Sequence, residues 1–67
     1  MSNLDKLLKL NLKKKSDLLL RDMLEVNGQV IISASRLVDS AFSFQEKGLV
    51  SVIRKDYSND YIVRLIS

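Results

Sequence analysis

The chain contains no cysteine, which removes disulfides, thiolate metal sites and thiol nucleophiles together. It contains no histidine either, so zinc sites and imidazole general bases lose their commonest residue. No apolar run approaches the roughly 20 residues that cross a bilayer as a helix. The N-terminus alternates leucine with lysine and lacks the continuous apolar stretch of a signal peptide. There is no internal repeat, low-complexity tract or linker. Asp17, Asp22 and Glu25 lie along one helix, but nothing pairs them with a nucleophile or a second acid. These absences point to a soluble cytoplasmic protein with no membrane partner, no metal, no cofactor and no enzymatic activity.

The 67 residues are 46% hydrophobic, enough for one globular domain over 1–67 and too apolar for a disordered chain. A core this small supplies only a few kcal/mol, so a partner chain is expected. Net charge is +3, and it is unevenly spread. Lys6, Lys9, Lys13, Lys14 and Lys15 stand against Asp5 alone in the first fifteen residues. The remainder holds six Lys/Arg against seven Asp/Glu. Basic character therefore belongs to the N-terminal arm.

Ser2 and Asp5 have the spacing of a capping box, and Leu4, Leu7, Leu8 and Leu12 fall on one helical face. Leu10 breaks that stripe. A basic amphipathic helix of this kind can lie on an anionic membrane, but its leucines are better used as core. A second helix runs through "SDLLLRDMLEVNG", with Ser16 as its cap, Leu19, Leu20, Met23 and Leu24 as its stripe, and Asn27–Gly28 as its stop. "QVIIS" reads as a short extra strand at 30–33. A third helix follows from about Ser33 or Ser35 to Lys47, continuous through Ser43. Leu37, Val38, Ala41, Phe42 and Phe44 form its inward side, and Gly48 ends it. The chain closes with a hairpin, "LVSVIRK" and "DYIVRLIS" around "DYSN". Val50 and Val52 share one face; Leu49 and Ile53 share the other. Both faces of the hairpin are apolar, so its second side calls for cover.

"SRLVD" at Ser35–Asp39, "EKGLV" at Glu46–Val50 and the return strand "YIVRLIS" resemble the recognition helix and wing of MarR-type winged helix-turn-helix regulators. The fold this implies is α+β: about three helices and a C-terminal β-hairpin wing. In that family the helix enters the major groove and the wing reaches the minor groove or backbone. Two features depart from the pattern. "SAFSFQ" lengthens the segment between the matching stretches, and only nineteen residues separate Gly28 from Gly48. Either the second and third helices make the helix-turn-helix, which we expect, or one element of the family fold is absent.

The resemblance implies double-stranded DNA as partner. Lys13, Lys14 and Lys15, with Arg54 and Lys55 at the hairpin tip, are the candidates for phosphate contact. Such charges also serve simply to keep a loop or an edge solvated. The exposed face of the third helix should carry Ser35, Arg36, Asp39, Ser40, Ser43 and Lys47, with Arg36 and the serines reading bases. Asp39 and Glu46 offset its cations. Tyr57 and Tyr61 can stack on a base or cover the sheet. A homodimer through Ile62 and Ile66 is expected, because paired half-sites favour dimers. Brevity without a sensor domain suggests a phage or plasmid regulator. The competing reading is a winged-helix-like module that binds a protein, an inhibitor or adaptor of a host nucleic-acid machine.

Overall fold

The computed structural model describes residues 2–33, 36–55 and 57–66. It contains α1 (Asn3–Leu8), α2 (Lys15–Asn27), β1 (Gln29–Ser33), α3 (Arg36–Glu46), β2 (Val50–Arg54) and β3 (Asp60–Leu65). The strands form one antiparallel sheet in the order β1-β3-β2. Helices α2 and α3 pack on each other and against one face of it. The core lies between these two layers. It comprises Leu7 of α1, Leu20 and Leu24 of α2, Val30 and Ile32 of β1, Ala41 and Phe44 of α3, then Leu49, Val50 and Val63.

The helices begin and end for local reasons. The Asp5 amide donates to the Ser2 hydroxyl at 3.1 Å, which caps α1. That helix is shorter than the leucine spacing predicts and stops at Leu8, so Leu10 and Leu12 pack on the core from irregular backbone. Helix α2 begins slightly earlier than the sequence suggests. Lys14 is its extended cap residue, and Ser16 lies inside the helix. Ser16 is freed from capping because its hydroxyl faces α3. Leu19, placed in the apolar stripe from its spacing, is 52% exposed.

Helix α3 is continuous through Ser43. It ends in a Schellman motif, which satisfies two carbonyls that a helix end leaves without partners. The Gly48 amide donates to the Gln45 carbonyl at 2.9 Å, and the Leu49 amide donates to the Phe44 carbonyl at 3.2 Å. Gly48 has the positive φ of 76° this reversal requires. Leu49 and Phe44 are both buried, the apolar contact that usually accompanies the motif. Leu49 is thus core and does not share the exposed side of Ile53.

Helices α2 and α3 are not joined by a tight turn. Gly28, the strand β1 and residues 34–35 run between them, so a strand occupies the place where a helix-turn-helix has its turn. Leu37 and Val38 are half-buried, and Phe42 is 40% exposed beside Tyr61. Among the described residues nothing covers the second side of the hairpin, with Ile53 56% exposed.

Candidate nucleic-acid interface

Strand register fixes which side chains share an end of the molecule. Ser33, the last residue of β1, pairs with Asp60, the first of β3. Strand β1 therefore finishes beside the hairpin tip, and α3 starts there too. Ser40 of α3 bonds to Ser16 and Asp17 in the first turn of α2, which draws the beginning of α2 to the same end. A cleft of about 280 Å³ opens between the two helix starts, lined by Lys15, Ser16, Leu19, Arg36 and Leu37. Lys13, Lys14, Lys15, Arg36, Arg54 and Lys55, all exposed, thus lie towards one end of the fold, Lys15 and Arg36 at one cleft and Arg54 and Lys55 at the hairpin tip. They come from three segments well separated in sequence.

The carboxylates near this pole are partly engaged. Asp17 accepts from Ser40, and Asp60 accepts from the Ser33 hydroxyl at 3.1 Å. The Arg54 guanidinium donates through Nε to the Ser58 carbonyl at 3.3 Å, which orders the hairpin tip around it. Tyr57 protrudes from the tip, fully exposed, with a φ of 59°. A bulky residue at positive φ is strained. Tyr61, by contrast, covers the sheet, its ring edge-on to Phe42 at 5.8 Å and 78°.

Several candidates sit elsewhere. Ser40, expected on the solvent face of α3, is 3% exposed; its hydroxyl is used between helices, and burial removes it from any base. Ser43 is half-buried, and Lys47, past the end of α3, donates to its hydroxyl at 3.4 Å. Lys47 lies with Gly48 at the opposite end from the basic pole. Ser35 falls outside the described residues. The exposed residues of α3 are Arg36, Asp39, Phe42, Gln45 and Glu46, with Ser43 half-buried, one cation against two carboxylates. Ile62 is half-buried and Ile66 43% exposed.

Among the described residues no group of His, Cys, Asp and Glu is arranged to hold a metal ion. No helix among them is long and apolar enough to cross a membrane. Compared with protein families, curated proteins and solved structures, the chain matches none.

Proposed function

We propose that this chain is a small winged-helix DNA-binding protein, a transcriptional regulator that grips duplex backbone with its basic pole. The observation that carries this reading is the convergence of Lys13, Lys14, Lys15, Arg36, Arg54 and Lys55 at one end, from the start of two helices and the tip of a hairpin. The helix–strand–strand order of α3, β2 and β3 and the sheet order β1-β3-β2 support the winged-helix assignment. Because the stripe of α3 is acidic beyond its first turn, sequence reading rests on Arg36, at the N-terminal end from which recognition helices contact bases. The lysines and the tip bind phosphate, and Tyr57 lies against a sugar or base.

Titration of labelled duplex by fluorescence anisotropy at low and moderate salt tests the reading. Log affinity should fall linearly with log salt, by about 0.9 per phosphate contacted. The absence of binding at low salt overturns it. A second reading then takes over, in which the acidic stripe of α3 and the exposed edge of Phe42 bind a protein partner, making the chain an inhibitor or adaptor of a nucleic-acid machine.

A further inference from the structure

The outer face of the sheet is a patterned surface. Alternation along the strands places three cross-strand rows there: Gln29–Arg64–Ser51, then Ile31–Ile62–Ile53, then Ser33–Asp60. Among the described residues the helices pack on the opposite face. Ile31 is 54% exposed and Ile53 56% exposed, so an unbroken row of isoleucines crosses the middle of a water-facing sheet. Such rows are ordinarily interrupted by polar residues on a solvated face, and burying this one recovers hydrophobic free energy in proportion to its area.

Charge selects what covers it. Arg64 and Asp60 stand two residues on either side of Ile62 on the central strand. Arg64 donates to the Gln29 side-chain carbonyl at 2.8 Å, and Asp60 accepts from Ser33. Their partners are neutral, and among the described residues neither forms a salt bridge. Lys55 stands beside Asp60, so the face carries Arg64 at one end and an Asp60–Lys55 couple at the other; turned around on itself, it sets each Asp60 carboxylate over an arginine. We infer that the chain forms a two-fold homodimer through the outer face of its sheet, with the two β3 strands antiparallel and Ile62 on the axis.

In this arrangement Ile31, Ile62 and Ile53 each meet their own counterparts, and each Asp60 lies over the second copy's Arg64. Lys55, placed beside Asp60 by alternation, lies over the second copy's Ser51. The alternative face-to-face two-fold, parallel to the strands, sets Asp60 against Asp60 and Arg64 against Arg64, and also brings both basic poles to one end. The antiparallel dimer holds those poles at opposite ends. Ile66, the next outward position after Arg64, extends the apolar surface towards the second copy's hairpin tip. Three strands about 4.8 Å apart and five residues at about 3.4 Å each make a face of roughly 14 by 17 Å. That is small for a stable interface, which makes the association weak and concentration-dependent.

The inference does not rest on nucleic-acid binding, although its interface takes in Lys55, and it is tested without nucleic acid, by sedimentation of the full chain from low to high micromolar concentration. The wild type should show a reversible monomer–dimer equilibrium. Asp60→Arg and Arg64→Asp should each weaken it at least about tenfold, since every pair becomes repulsive. Mixing the two single variants should restore dimer as a heterodimer, and the double variant should restore it alone. Ile31→Lys and Ile53→Lys, at exposed positions that leave the monomer's circular dichroism unchanged, should abolish it. These two variants carry the test if either charge reversal fails to fold. A monomeric wild type at high micromolar concentration, a dimer indifferent to the lysine substitutions, or folded charge variants that mixing does not rescue would each overturn the proposal.

Discussion

The hydroxyl of Ser40, buried on α3, donates to the carboxylate of Asp17 in the first turn of α2, with the Ser16 hydroxyl 3.1 Å from the same oxygen. This contact sets the beginning of α2 beside α3 and brings Lys15 and Arg36 to opposite walls of one cleft. Ser40→Ala removes a charge-assisted hydrogen bond in a buried place and should cost about 1.5–3 kcal/mol. Urea denaturation measures the loss. Because Ser40 positions cations and does not touch bases, DNA affinity should fall alike on all sequences. A sequence-selective loss would return Ser40 to the role of a base reader.

Gly48 ends α3 at positive φ, yet a Cβ built there meets nothing within 4 Å. Substitution is therefore resisted by the backbone and not by crowding. Gly48→Ala should destabilise by about 1–2 kcal/mol, the cost of left-handed backbone for an L-residue. Gly48→Val should cost more, because a branched Cβ resists that conformation further. Equal midpoints for glycine, alanine and valine would show that the reversal tolerates another conformation.

Replacing Lys13, Lys14 and Lys15 with glutamine should weaken binding to all duplexes alike. It should also flatten the salt dependence by a little under one unit for each phosphate no longer neutralised. Arg36→Ala should instead cost on the order of 1–3 kcal/mol on a preferred site and little on random DNA. Anisotropy titrations on both kinds of duplex at several salt concentrations separate these effects. If Arg36→Ala behaves as the lysine variant does, Arg36 binds phosphate and α3 reads no sequence.

Tyr57 combines full exposure with a strained backbone. Tyr57→Gly should leave the fold as stable or raise stability by about 1 kcal/mol, since glycine adopts positive φ freely. The same substitution should lower DNA affinity if the ring stacks on the nucleic acid, where a stacked base contributes about 1–3 kcal/mol. Thermal unfolding and titration together give opposite signs under this reading. Lower stability with unchanged affinity would make Tyr57 a structural residue.

Local chemistry is readable from the chain. Ser2 before Asp5, Gly28 after Asn27, and Gly48 before two apolar residues mark element ends, because capping and left-handed backbone depend on a few adjacent residues. The β-branched run at 29–33 and the hairpin are legible for the same reason: side-chain period and turn residues act over short distances. The length of α1 is not legible, since leucines at helical spacing satisfy the core equally well from the irregular backbone at Leu10 and Leu12. Nor is the burial of Ser40. Periodicity counts it as polar and outward, whereas a hydrogen-bonding partner on another helix makes burial favourable.

The sequence by itself thus determined the identity and order of the elements, the stops at Gly28 and Gly48 and the basic arm, all set by neighbours in the chain. Tertiary structure decided which of these come together. Register of β1 on β3 and the Ser40–Asp17 contact carry Lys13–Lys15, Arg36 and Arg54–Lys55 to one pole. The pairing of Ile62 with both Ile31 and Ile53 builds the apolar row. No residue encodes such a patch, because it exists only once strands far apart in sequence are aligned by the burial of their opposite faces.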